Sequence, residues 1–237
     1  MRAWHTLVQM TARVAEALGP DLCQEMAFVG GVTTGFLLTD DFSREQARST
    51  DDVDLIVHVM GTNQFHQLQA DLQKKGFVIE MPAPDEEPPV CAMKLDGMRV
   101  DFMPDDKDVL GFTNIWYREA LASAEPYPLP DGQEIRLVSP PYFMATKLEA
   151  WKGRGGSNAL DSRDIEDLLL LIDGREQLID EMKQAPEPLR AYIAAELQIL
   201  LDNRDFEMAM ESQAQGDAAR RNRLRFRLEQ LARVRPS

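Results

Sequence analysis

Phe28-Val-Gly-Gly-Val-Thr-Thr-Gly35 and, after a polar interval, Arg48-Ser-Thr-Asp-Asp-Val-Asp-Leu-Ile-Val-His58 decide the fold. The first reads as a short strand, Ala27 to Val29, that runs into a glycine turn at Gly30 and Gly31 and then into a helix start over Val32 to Leu38. Glycine lets a backbone approach a ligand closely, and the free N–H groups of a helix start favour phosphate. The second reads as a buried strand over Val53 to Val59, with Asp52 and Asp54 spaced by two. In a strand such residues share a face. Aspartate disfavours strands, so two of them beside Leu55, Ile56 and Val57 either face water or repel each other across apolar surface unless a cation sits between them. A divalent metal ion is the natural candidate.

Before this stretch, Trp4, Leu7, Val8, Met10, Val14 and Leu18 recur at helical spacing over residues 3–18, and Gly19-Pro20 ends the pattern. After it, Thr39 to Thr50 reads as a loop or a lengthened helix end. Phe65, Leu68 and Leu72 mark a helix over 64–75, followed by Gly76 and a strand over 77–80. Residues 81–89 hold four prolines and three acids and read as an exposed loop. Val90 to Leu95, Asp96-Gly97 and Met98 to Met103 form a hairpin with a type I′ turn. On its second strand Arg99, Asp101 and Met103 share one face. Asp101 interrupts an apolar strand and needs a partner if buried. That partner is either a nearby arginine or a metal ion, the latter if the sheet places this strand beside 53–59.

A helix over 114–122 and a turn with a short strand over 127–138 follow. Ser139-Pro140-Pro141 then opens a helical half, which puts a domain boundary near 138. Within it, Lys147, Trp151 and Arg154 lie on one helical stripe and Asp164 and Asp167 on the next helix, with glycines 153, 155 and 156 at the reversal between them. Two facing helices set Lys147 or Arg154 against Asp164. Pro186 and Pro188 open a further helix whose apolar stripe includes Leu189, Ile193, Leu197 and Leu200.

The order of these elements resembles the AbiEii-type nucleotidyltransferase toxins, a branch of the DNA polymerase β-like nucleotidyltransferase superfamily. The resemblance is carried by Gly30-Gly31, by Arg48-x-Thr50-x-Asp52-x-Asp54, by Lys147 with its following Ala-x-x-x-Arg154, and by Arg163-Asp164-x-x-Asp167-Leu168. It covers residues from about 26 to 172. It implies an α+β fold: a polymerase-β-like core of mixed sheet and flanking helices over 1–138, then a helical C-terminal domain over 139–237. By residue it implies Asp52 and Asp54 as catalytic metal ligands, with Asp101 as a third carboxylate. Gly30, Gly31, Arg48, Thr50 and Arg154 would contact the nucleotide, Lys147 its phosphates, and Asp164 would act as a catalytic or positioning acid. Serine commonly follows the first glycine in the superfamily, and Gly31 stands there instead. Twenty residues separate Gly31 from Asp52, so either 39–50 is inserted or the glycines are not the motif turn.

The activity so implied is transfer of a nucleoside monophosphate from a nucleoside triphosphate, with Mg²⁺ or Mn²⁺, to an acceptor hydroxyl. An RNA end such as that of tRNA is the favoured acceptor, in a toxin–antitoxin or phage-defence setting with a cognate antitoxin as partner. The alternatives are a protein or aminoglycoside-like acceptor, or a noncatalytic nucleotide-binding or regulatory module that keeps the fold.

Composition bounds these readings. The 237 residues, 44% of them hydrophobic, suffice for one large or two small cores. A net charge of −14 argues against broad attraction to nucleic acid. Residues 220–237 nevertheless carry seven arginines against one acid, +6 locally, which leaves −20 on the preceding 219. Such a tail could pack on its own protein, grip a phosphate backbone or bind a partner. Two distant cysteines and three histidines give no zinc spacing. With no signal-like segment and no apolar run long enough to span a bilayer, the expectation is a soluble, cytoplasmic protein without a membrane partner.

Overall fold

The computed structural model describes residues 2–80 and 91–233; the acid- and proline-rich stretch 81–89 and Arg235 lie outside the described residues. The chain divides into two compact units, Met1–Thr33 with Arg48–Ser139, and Thr34–Ala47 with Pro140–Ser237.

The first unit is built on a mixed seven-stranded sheet. Its strands are β1 (Ala27–Val29), β2 (Asp52–Val57), β3 (Val78–Ile79), β4 (Ala92–Leu95), β5 (Met98–Pro104), β6 (Glu125–Pro128) and β7 (Glu134–Leu137). They lie in the order β3-β4-β5-β2-β1-β7-β6. The central strands β2 and β5 run parallel, whereas β1 and β2 run antiparallel. Helices α1 (Arg2–Glu25), α4 (Thr62–Lys74), α5 (Lys107–Leu110) and α6 (Tyr117–Ala122) accompany the sheet. Leu7, Leu18, Phe28, Leu55, Ile56, Phe65, Phe77 and Phe102 are fully buried in the core. Phe77 and Phe102 meet edge to face with centroids 5.5 Å apart.

The hairpin turn takes positive φ at both Asp96 and Gly97, as a type I′ turn requires. The break expected at Gly19-Pro20 is present, with Gly19 at φ 74°, but the chain resumes helical structure to Glu25. Cys23 Sγ, 3.6 Å from the Ala15 carbonyl, serves that acceptor beside the break. One strand differs from the sequence reading: β6, Glu125-Pro-Tyr-Pro128, pairs antiparallel with β7. Its prolines are tolerated because β6 is an edge strand, where an N–H can be dispensed with.

The second unit is helical. It contains α2 (Thr34–Leu37), α3 (Asp41–Glu45), α7 (Pro140–Gly153), α8 (Arg163–Gly174), α9 (Leu178–Gln184), α10 (Glu187–Leu201), α11 (Arg204–Ala214) and α12 (Ala218–Ala232). Helix α3, in a stretch read as loop or helix extension, starts at Asp40, whose carboxylate accepts from the N–H groups of Phe42 and Ser43. The Ser43 hydroxyl, 2.6 Å away, and those N–H groups hold the Asp40 carboxyl below its ordinary range. The segment before α3 seats on Gly174, whose carbonyl accepts from Thr39 N at 3.0 Å and Asp40 N at 3.1 Å. A Cβ at Gly174 would lie 2.5 Å from Ser43 Cβ, so only glycine permits this approach.

The arginine-rich segment is α12, and it packs back on its own unit. Arg220, buried, donates to Asp173 at 2.5 Å, and Arg223 donates to the same carboxylate at 3.2 Å. Arg227 donates to the carbonyls of Ile172 and Asp173. Arg221 pairs with Glu211, Arg225 with Glu207, and Arg233 with Glu229. The positive charge of these described arginines, which looked available to phosphate, is thus set against acids and carbonyls of α8, α11 and α12 itself. Among the described residues no helix is long and apolar enough to cross a membrane.

Candidate active site

Strand β1 delivers the glycine turn directly onto the acid pair. In the antiparallel β1–β2 ladder Val29 stands opposite Asp54, so the chain leaving β1 turns at the level of that carboxylate. Gly30 takes φ 79°, and a Cβ there would overlap Asp54 Oδ2 and lie 2.7 Å from Asp54 Cγ. The Thr33 hydroxyl donates to the Gly30 carbonyl at 2.8 Å and fixes the turn from within. Gly31 lies against Arg48: a Cβ there would come 2.5 Å from the guanidinium Nη2. The 20-residue interval therefore does not separate the glycines from the acids.

Asp52 and Asp54 are half-buried and share one face of β2. Thr50, buried, donates its hydroxyl to Asp52. In the parallel β2–β5 ladder Asp54 is in register with Asp101, and Asp52 with Arg99. Both Asp101 oxygens accept from Arg99, each at 2.8 Å, a bidentate pair along one strand face. That hydrogen bonding raises the Arg99 guanidinium above its ordinary value. The sheet thus gathers Gly30, Gly31, Arg48, Thr50, Asp52, Asp54 and Asp101 in one region, and adds Arg99, which the sequence offered only as a nearby arginine.

Cys91 sits next to this region, fully buried. Burial, followed by the negative charge of Asp101, pushes its thiol up to about 12, and Asp54 adds to the same effect. Burial likewise pushes Cys23 up to about 11. The reactive thiolate forms only as pH rises through these values. At mildly alkaline pH the folded protein is therefore expected to resist iodoacetamide at both positions, and to take two labels once denatured. Mass spectrometry of the alkylated protein checks this, and rapid labelling of the native state would contradict it.

The second unit holds the remaining sequence-singled residues. Lys147, buried on α7, donates to Asp167 at 2.6 Å and Asp164 at 3.3 Å on α8. Its ammonium also lies 5.6 Å from the Phe143 ring centroid. Arg154, largely exposed, reaches Asp164 from the end of the same helix. The i, i+3 spacing of Asp164 and Asp167 is what puts both acids on the lysine. Asp167, fully buried, carries the shorter contact, although the sequence reading paired the lysine with Asp164.

The fit of this chemistry to a divalent cation can be judged from the donors. Among the described residues no group of three or more His, Cys, Asp or Glu is arranged to hold a metal ion. Mg²⁺, however, keeps several waters and is commonly bound through one or two carboxylates plus substrate phosphates. Asp52 and Asp54 on one strand face meet that smaller demand.

A glycine turn seated on an acid-bearing strand of a mixed sheet, joined to a helical unit, defines a nucleotidyltransferase-type architecture. The sequence model of the family described as nucleotidyl transferase AbiEii toxin, Type IV TA system, matches residues 18–237, nearly the whole chain, and the protein belongs to that family. No curated protein matches the chain.

The glycine turn yields a direct test. Ala at position 30 meets the left-handed backbone penalty of about 1–2 kcal/mol and the Asp54 side chain together. Gly31→Ala meets only the movable tip of Arg48, at a position with no positive φ. Gly30→Ala is therefore expected to lower the urea midpoint clearly more than Gly31→Ala. Equal midpoints would contradict the close approach to Asp54.

Proposed function

We propose that this protein transfers a nucleoside monophosphate from a nucleoside triphosphate to a hydroxyl of RNA, with a tRNA end as the favoured acceptor, as the toxin of a toxin–antitoxin pair. The observation that carries the reading is the packing of the Gly30 turn on Asp54, with Asp52 on the same strand face. It supports phosphate held by a close backbone beside carboxylates able to hold a cation.

In this reading the acceptor hydroxyl releases its proton to solvent as its oxygen bonds to the α-phosphorus, the bond from that phosphorus to the α–β bridging oxygen breaks, and pyrophosphate leaves. Asp52 and Asp54 would hold Mg²⁺ or Mn²⁺, which supplies neutralisation of the anionic triphosphate and of the developing charge on the leaving group. The Gly30-Gly31 turn would accommodate the phosphates, with Arg48 beside it as a planar donor for their oxygens. Thr50 would orient Asp52 through its hydroxyl. Arg99 would hold Asp101 in place beside Asp54, which makes Asp101 a weaker ligand than the other two, because both its oxygens already accept hydrogen bonds. The roles of Lys147 on the phosphates, Asp164 as a positioning acid and Arg154 as a nucleotide contact rest on the family resemblance.

The test is incubation with each α-labelled triphosphate and Mg²⁺, with total RNA, total protein and an aminoglycoside as separate acceptors. Label is expected in RNA. Label in protein or drug alone would replace the RNA acceptor, and label in none would favour the noncatalytic nucleotide-binding reading.

A further inference from the structure

We propose that Arg99 is a positioning residue of the acid site: it withholds Asp101 from the cation that Asp52 and Asp54 would bind, and so keeps cation affinity low until a triphosphate is present. This role rests on the transferase reading, which supplies the cation. Asp54 and Asp101 are in register on the neighbouring parallel strands β2 and β5, and Asp52 is in register with Arg99. Residues in register share a face, about 4.8 Å apart across the ladder. The four side chains therefore form two rows on one sheet face, acid beside acid and acid beside guanidinium.

Asp101 is the member of this set that the protein itself occupies. Its two oxygens accept from Arg99 Nε and Nη2, each at 2.8 Å. A bidentate guanidinium covers the edge of the carboxylate that a cation would use. The Asp101 side chain is 11% exposed, so little of it is open to a cation while the pair holds. Cys91 marks the shared neighbourhood: after burial, its thiol is pushed up by Asp101 and further by Asp54, while Arg99 acts in the opposite sense. Lys94 stands directly opposite Arg99 across the hairpin and pairs with Glu80 at 2.9 Å. Like charges so placed repel. Each is matched to its own acid, Lys94 to Glu80 and Arg99 to Asp101.

Asp52 and Asp54 thus face a cation with the guanidinium beside them and without the help of Asp101. Mg²⁺ held by one or two carboxylates depends on substrate phosphates for further ligands. Arg99 thereby ties cation binding to the triphosphate, whose oxygens supply what Asp101 does not. Removal of the guanidinium returns both oxygens of Asp101 to the site.

Titration of the full chain with Mn²⁺, read by the electron paramagnetic resonance of the free ion, tests this without turnover. Arg99→Gln is expected to bind Mn²⁺ about tenfold more tightly than the wild type. Its bound ion should also carry fewer exchangeable waters, read as a lower water-proton relaxation enhancement, because a carboxylate replaces them. Asp101→Asn added to Arg99→Gln should cancel both changes. Lys94→Gln removes a positive charge from the same sheet face and leaves the Arg99 pair intact, so it should shift the affinity by less than about twofold. Arg99→Lys keeps the charge but gives up the fork; it should bind about threefold more tightly, and it carries the test where Arg99→Gln does not fold. With binding lost in Asp54→Asn, wild-type affinity in the Arg99 variants, an unchanged water count, or an equal gain in Lys94→Gln overturns the role of Arg99 alone. Mn²⁺ bound by no form of the protein, or equally well by Asp54→Asn, overturns it together with the reading of Asp52 and Asp54 as a cation site.

Discussion

Asp54→Asn is expected to abolish nucleotidyl transfer. The substitution keeps shape and removes the charge that would hold the cation, which supplies several kcal/mol of transition-state stabilisation. At 1.36 kcal/mol for each tenfold change in rate, that is a loss of about a thousandfold or more. The fold should survive, because the amide still fits beneath the Gly30 turn and Asp54 is only half-buried. Single-turnover incorporation of labelled nucleotide, measured beside a denaturation curve, separates the two outcomes. Transfer retained within a few-fold in a folded Asp54→Asn protein would remove these carboxylates from the mechanism, and with them the proposed function.

Asp173→Ala is expected to give the largest loss of stability. Asp173 and Arg220 are both buried, and Arg223 and Arg227 converge on the same residue. Removing one member of a buried ion pair leaves the other charge uncompensated and costs about 3–5 kcal/mol. Arg225→Ala, on the same helix but half-exposed and paired at the surface, is expected to cost under about 1 kcal/mol. Urea denaturation of the two variants measures the contrast. If both shift the midpoint equally, Asp173 is not the anchor of α12.

Strand β2 and the hairpin around Asp96-Gly97 were legible because their signals are local. Two acids in an apolar strand and a turn that demands positive φ each announce themselves within a few residues. Lys147 facing Asp164, though not its shorter contact with Asp167, was legible for the same reason, since helical spacing fixes which side chains share a stripe. The proximity of Gly30 to Asp54 was not. It depends on the antiparallel register of β1 and β2, and a 20-residue interval hides that from any local pattern. Strand β6 was hidden by its two prolines, which argue for a turn until the strand is known to lie at the edge. The arginine-rich end carried three readings in the sequence. Its partners decide the structural one, and Asp173, the acid that follows the apolar residues 168–172, is a buried counter-charge that the sequence reading did not single out.

The membership of 34–47 in the helical unit bears on how this protein can be dissected. A fragment starting at Pro140 would keep α7 to α12 but lose Leu37, whose carbonyl accepts from Arg175 at 2.5 Å, and Gln46, which accepts from Arg220. It would also uncover the backbone of Gly174 that 38–43 occupies. The helical part is therefore not an autonomous piece. Truncation at a single cut should yield an unstable or aggregating product, whereas a fusion that grafts 34–47 ahead of residue 140 restores the missing surface.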